Sequence, residues 1–252
     1  MTIQEARRHG SARLSAIYAE GEAATISDWV IEHITGSKVS ERALNPRKEL
    51  TPEQASRQNH YLERLLTHEP VQYVLGEAWF CGLKFAVGPD VLIPRPETEE
   101  LVEWVITNCR FPLDELRILD IGTGSGCIAI SLKRRLGKAQ VWGCDLSTGA
   151  LFLAKENAKN LGVDVNFLEI DFLSEQQRAA LPVFDVIISN PPYIPESDKS
   201  SMHANVLDYE PHMALFVPND DALIFYKAIA DFGKDHLTRN GSIYMEIHED
   251  ST

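Results

Sequence analysis

Arg117-Ile118-Leu119-Asp120-Ile121-Gly122-Thr123-Gly124-Ser125-Gly126 runs from an apolar, strand-like stretch into a turn with glycine at every second position. Glycines so placed let the backbone turn sharply and approach a ligand closely. The helix expected beyond them presents unpaired N–H groups to an anionic group. The spacing is Gly-x-Gly-x-Gly, not the dinucleotide Gly-x-Gly-x-x-Gly, and no Lys-Ser/Thr pair follows as a phosphate loop requires. By itself this turn is a weak signal, and its neighbours have to decide what it holds.

Outward from it, strand and helix signals alternate. Strands are expected at 117–121, 140–144, 165–170, 184–189 and 242–247, with helices between them, notably 148–161 and 221–237. Such alternation predicts an α/β fold of right-handed βαβ units around a mostly parallel sheet. Ligands on such sheets bind beyond the carboxyl ends of the strands, where strand order reverses. Asp145 and Leu146 close the second strand, where a carboxylate is placed to accept from both hydroxyls of a ribose. Asp171-Phe172 closes the third, where a carboxylate suits an exocyclic amine and a ring suits a purine. Any one of these acids is explained equally well as a helix cap, but three consecutive strand ends suited to an adenosine are not. A glycine turn preceded by Asp120 and lacking phosphate ligands fits S-adenosylmethionine better than a dinucleotide.

The fourth strand ends in Asn190-Pro191-Pro192-Tyr193. A planar amino group on an sp² carbon is a poor nucleophile, and alkylating it requires a grip on both N–H bonds. The Asn190 side-chain oxygen and the Pro191 carbonyl are suited to accept them. Prolines fix φ and donate no hydrogen, which stiffens the turn, and Tyr193 offers a flat face. Asn-Pro is also an ordinary turn signal, so position at a strand end beside a second ligand signal is what favours a site.

The first 75 or so residues read as helices. Ile26, Trp29, Val30 and Ile34 fall at helical spacing with Gly36 as the stop. Thr51-Pro52-Glu53-Gln54 has capping-box spacing and opens a helix with Leu62, Leu65 and Leu66 as its buried stripe. Residues 77–81 and 83–87 read as a hairpin around Gly82, and acidic residues from Glu97 suit the first turn of a further helix. Glu97 is equally well placed to shape the cofactor end of the pocket.

At 252 residues the chain exceeds one average domain, and 44% apolar residues suffice for a packed core. A net charge of −13 argues against a general nucleic-acid binder, whose phosphate-tracking surface is expected to be basic. Cys81, Cys109, Cys127 and Cys144 form no Cys-x-x-Cys pair, and the eight histidines show no ligand spacing, so no metal is expected and reduced thiols in the cytoplasm are the simplest account. The charged start does not read as a signal peptide, and no run approaches the roughly 20 apolar residues that span a bilayer.

With its glycine turn and acids, the chain resembles the class I methyltransferases, and with Asn190-Pro191-Pro192-Tyr193 it resembles those that methylate planar amino groups. The tetrapeptide alone leaves open an adenine or cytosine amine in nucleic acid and a glutamine amide in protein. Three further segments, 69–76, 91–99 and 205–211 with Ala214-Leu215, resemble the release-factor glutamine methyltransferases of the HemK type. The resemblance implies a Rossmann-like parallel sheet spanning 93–252, a β-hairpin linker at 77–92, and an N-terminal helical domain at 1–76 that docks the substrate. It implies S-adenosylmethionine as cofactor, held by Asp120, Gly122, Thr123, Gly124, Ser125, Gly126, Asp145, Leu146, Asp171, Phe172 and Asn190. Its implied substrate is the glutamine of the Gly-Gly-Gln motif of class I peptide chain release factors, gripped by Asn190, Pro191, Pro192 and Tyr193, with Asn190, Pro191 and Tyr193 catalytic. No strong general base is needed, since an alkylated nitrogen loses its proton readily. A ribosomal-protein glutamine remains an alternative substrate, and a non-catalytic translation-factor adapter the alternative of a different class. No direct nucleic-acid or membrane partner is expected, and the protein is expected to be a monomer. Family members usually continue past the strand at 242–247 with a helix and an antiparallel strand pair, so an exposed outer edge is expected there if nothing follows.

Overall fold

In the computed structural model, which describes residues 1–45, 47–109, 111–112 and 114–247, the alternation around Arg117 folds as a five-stranded parallel sheet. The described chain divides into two compact units: Met1–Gly76 with Ala204–Tyr209, and Glu77–His203 with Glu210 onward.

The first unit is helical. Helices α1 (Ile3–Leu14), α2 (Glu20–Thr35), α3 (Val39–Leu44), α4 (Pro52–Leu65) and α5 (Val71–Leu75) are joined by the short α10 (Ala204–Leu207). Both α1 and α4 open on complete capping boxes: Thr51 accepts from the Gln54 N–H while the Gln54 side chain accepts from the Thr51 N–H, and Thr2 and Glu5 do the same. Helix α2 ends at Gly36 with φ +66°, a left-handed cap that only glycine adopts without strain. Leu62 and Leu65 are fully buried and Leu66 packs against them. Trp29 departs from the expected stripe and is 48% exposed. The buried arc of α2 runs through Ala23, Ile26, Ser27, Val30, Ile31 and Ile34, turned away from position 29, because Gly10 of α1 lets the Ser27 side of α2 approach closely. A Cβ at Gly10 would lie 2.6 Å from Ser27 Oγ. The Tyr209 hydroxyl donates to the Thr67 carbonyl at 2.7 Å, fastening the 204–209 segment to this unit.

The second unit begins with the hairpin β1 (Glu77–Phe80) and β2 (Leu83–Ala86), turned by Cys81 and Gly82, both at positive φ as a tight two-residue turn requires. Phe80 and Phe85 are fully buried in the core beside α6 (Pro96–Asn108) and α7 (Cys127–Leu136). Asn157 of α8 (Thr148–Leu161) clasps the hairpin, accepting from the Ala86 N–H at 2.7 Å and donating to the Ala86 and Ser125 carbonyls.

The sheet comprises β3 (Arg117–Ile121), β4 (Gln140–Asp145), β5 (Asn166–Glu169), β6 (Phe184–Ser189) and β9 (Leu237–Met245), in the order β5-β4-β3-β6-β9. Both faces are covered, so β3 and β6 read as continuous apolar runs. Ile118, Val186 and Ile188 face the α6/α7 side, while Leu119, Ile121 and Ile187 pack with Ala228, Ile229 and Phe232 of α11 (Ile224–His236). Short α9 (Glu175–Arg178) follows β5, and β7 (Ile194–Pro195) pairs in parallel with β8 (Phe216–Val217) beyond β6. Two boundaries depart from expectation by three residues or more. Helix α11 starts at Ile224 because Pro218 to Asp221 is turned, with the Asp221 N–H on the Pro218 carbonyl. Strand β9 starts at Leu237, five residues early, and reaches β6 through an irregular register between Phe184 and Val186. Residues from His248 lie outside the described chain. No helix among the described residues is long and apolar enough to cross a membrane.

Candidate active site

Chain order reverses between β3 and β6, and the carboxyl ends of these two strands carry the glycine turn and Asn190 respectively. A cavity of about 360 Å³ opens there. Its lining joins Gly122 to Ser125, Asp145, Leu146, Asp171 and Phe172 with Asn190, Pro191 and Pro192, all in the second unit. The predicted residues from four strand ends therefore meet in one space, as the switch-point rule requires.

Gly122, Gly124 and Gly126 all have positive φ, so the turn cannot be built from other residues without strain. Gly126 is also sterically committed, since a Cβ there would lie 2.9 Å from Ile130 Cδ1 and 3.1 Å from Ala154 Cβ. Gly126 and Asp120 do not line the cavity; they shape the turn from beneath. Asp120 is fully buried, and its Oδ2 accepts from Thr123 Oγ1 at 2.6 Å and the Ala129 N–H at 3.2 Å. Burial pushes its carboxyl up to about 7 against the pull of those two bonds, with the nearby Asp145 adding to the rise. Its Oδ1 has no protein partner. A buried carboxylate oxygen left over at a ligand loop suits a cationic group.

Asp145 accepts from the Gly124 N–H at 2.9 Å through one oxygen and from the Ser147 N–H at 2.9 Å through the other. It thus ties the glycine turn to the start of α8, while burial raises its pKa. The carboxylate keeps acceptor capacity for a ligand hydroxyl. Asp171 accepts from the Leu173 N–H and Phe172 is buried, packing edge to face on Phe232 at 5.2 Å. Phe172 serves the core and the cavity wall together, a double duty the strand-end reading did not contain.

At the other wall the Asn190 side-chain nitrogen donates to Thr98 Oγ1 at 3.1 Å, and the Thr98 hydroxyl donates to Glu246 Oε2 at 2.7 Å. Tyr193 does not line the cavity; its hydroxyl donates to Glu246 Oε1 at 3.3 Å, and burial, then Glu246, raises its pKa. Glu97 lies in the first turn of α6 and outside the cavity lining, in keeping with its reading as a helix-start acid. Thr98, Glu246, Arg95 and Glu210 were not expected. Glu210, almost wholly buried, accepts from Arg95 at 2.6 Å and the Ile93 N–H at 3.1 Å, holding the cavity rim. The acidic first turn from Glu97 and the family resemblance of 91–99 and 205–211 marked these regions, but nothing local pairs either Arg95 or Thr98 with a glutamate 115 or more residues on.

The lining suits a phosphate-free nucleoside. Three carboxylates, Asp90, Asp145 and Asp171, face one cationic side chain among the described lining residues, Arg95, which Glu210 already occupies. A pyrophosphate would find little to neutralise it. S-adenosylmethionine, with a sulfonium, an ammonium and an apolar adenine, fits this donor set.

Residues 5–76 match the PrmC N-terminal domain and residues 98–208 the Methyltransferase small domain. A release factor glutamine methyltransferase of Flavobacterium psychrophilum is 42% identical over 99% of this chain and 87% of its own. The chain belongs to the release factor glutamine methyltransferase family. Other relatives of that name include one from Bacillus anthracis, 34% identical over 98% of this chain and 86% of its own, and one from Bacteroides thetaiotaomicron, 48% identical over 74% and 66%. The fold is accordingly that of a class I methyltransferase with an N-terminal helical domain, and the chain is an enzyme. The Asn190 wall and the glycine turn are two sides of one cavity.

Proposed function

We propose that the chain methylates the side-chain amide nitrogen of the glutamine in the Gly-Gly-Gln motif of class I peptide chain release factors, with S-adenosylmethionine as donor. One observation carries this reading: a single cavity is lined both by the glycine turn with its carboxylates and by Asn190-Pro191-Pro192. The relatives' shared name supplies the substrate class.

When bound, S-adenosylmethionine supplies an electrophilic methyl group. The chain's own residues hold and orient. Gly122 to Ser125, Asp145, Leu146, Asp171 and Phe172 bind the donor, while Asp120 and Gly126 hold the shape of the turn beneath it. Asn190 Oδ1 and the Pro191 carbonyl accept the two amide hydrogens, so the nitrogen is oriented for attack and the positive charge developing on it is stabilised. Pro192 stiffens this grip, and Tyr193, outside the cavity lining, is anchored to Glu246 and steadies the tetrapeptide from behind. Met213, Phe216 and Phe225 add apolar wall that excludes water. The helical domain of residues 1–76 docks the release factor, and the hairpin of 77–92 opens the catalytic unit, into whose core Phe80 and Phe85 pack. A net charge of −13 supports a protein substrate over direct nucleic-acid binding, and the protein works as a cytoplasmic monomer.

Transfer of labelled methyl from S-adenosylmethionine to a purified release factor, a duplex oligonucleotide and a ribosomal protein tests this directly. Label is expected on the release factor alone; label on the oligonucleotide, or on nothing, would overturn the reading.

A further inference from the structure

We infer that Thr98 and Glu246 are positioning residues that fix which end of the Asn190 amide faces the substrate. The inference rests on the proposed role of Asn190 and extends it. Asparagine is symmetric in shape but not in chemistry: one end of its amide accepts hydrogen bonds and the other donates them. An acceptor grip on a substrate NH₂ works in one orientation only. Turned over, Asn190 would present its own NH₂ to the substrate's, donor against donor.

The structure supplies a directional constraint. The Glu246 carboxylate only accepts, so the hydroxyl of Thr98, 2.7 Å away, points its single proton at Glu246. That leaves the Thr98 oxygen as an acceptor toward Asn190, and the group it meets at 3.1 Å must be the Asn190 NH₂. The Asn190 oxygen is thereby the end left for the substrate. Thr98 is only 3% exposed, so no bulk water competes for its hydroxyl. Glu246 is itself fixed: its N–H donates to the Ser189 carbonyl at 3.1 Å, continuing the β6/β9 ladder, and its carbonyl accepts from the Tyr226 hydroxyl at 3.0 Å. Its second carboxylate oxygen takes the Tyr193 hydroxyl. One carboxylate on the neighbouring strand end therefore holds two of the four residues of the tetrapeptide, Asn190 through Thr98 and Tyr193 directly.

The test pairs kinetics with a measurement that needs no turnover. Thr98→Val removes the acceptor at similar volume and is expected to lower kcat by about 10- to 100-fold, the scale for losing a preorganised polar group, with KM for the release factor and Kd for the donor within about 3-fold. Thr98→Ser keeps the hydroxyl and is expected to recover most of that loss. Glu246→Gln offers Thr98 either end of an amide, no longer dictates its direction, and is expected to fall between. In the nitrogen-15-labelled full chain, the Asn190 side-chain NH₂ signal, located by its absence in Asn190→Asp, is expected to exchange slowly with water and to lose that protection in Thr98→Val. An unchanged kcat in Thr98→Val, a loss confined to KM, or a wild-type Asn190 NH₂ exchanging as fast as an exposed asparagine would each overturn the inference. If Thr98→Val does not fold, the wild-type exchange measurement decides. If the wild-type chain fails to methylate a release factor, the functional reading falls, and the exchange arm still decides this one.

Discussion

Asp120 is the most costly residue of the site, because burial without a counter-charge lifts its carboxyl from the ordinary 3.8 to about 7. A carboxyl raised on folding binds more protons in the folded than in the unfolded chain between those two values. Its effect on stability is therefore most favourable below about pH 4 and is lost as pH rises through about 7. Thermal unfolding of the donor-free chain should show wild type losing stability relative to Asp120→Asn across that window and running parallel above it; parallel curves throughout would remove the buried charge from the account. At the opposite wall, Asn190→Ala should keep donor affinity within a few-fold yet lower kcat about 10²-fold, since it deletes the acceptor proposed to hold the reacting amide. Asp145→Ala should weaken donor binding in calorimetry, because it removes both the carboxylate proposed to hold the ribose and the tether between Gly124 and Ser147.

At the scale of elements, the turn between β3 and α7 is held by conformation and by space. Gly126→Ala forces φ +79° on an L-residue and drives its Cβ into Ile130 and Ala154, so a loss of about 1–3 kcal/mol in denaturant unfolding is expected. Thr51→Ala, which dismantles the α4 capping box, should cost about 1 kcal/mol in the same measurement. These elements were legible in the sequence because their causes are local: glycine at alternate positions, a capping residue three before its partner, an apolar run of strand length. What was not legible is what depends on distance in the chain. Thr98 reads as a first-turn helix residue until β9 brings Glu246 to it, and Glu210 shows no local partner until Arg95 closes on it. Trp29 has the right spacing for a buried stripe, yet the close approach of α1 at Gly10 turns α2 so that the tryptophan faces out. The early start of β9 likewise depends on its pairing with β6 and not on its own composition.

At the scale of the whole molecule, the chain joins a helical unit, which includes Ala204–Tyr209, to a methyltransferase unit that contains the entire cavity. If residues 1–76 dock the release factor, recognition reaches beyond the reacting glutamine. A short Gly-Gly-Gln peptide should then show kcat/KM at least about 10-fold below that of an intact release factor, since binding energy from remote contacts is lost. Equal values would leave the helical unit without a role in docking. The most direct test of the account is site-mapped mass spectrometry of a release factor incubated with the enzyme and S-adenosylmethionine. One methyl group on the side-chain amide of the Gly-Gly-Gln glutamine, nearly absent with Asn190→Ala, is the predicted result; methylation elsewhere on the factor, or methylation of that glutamine undiminished in Asn190→Ala, would contradict it.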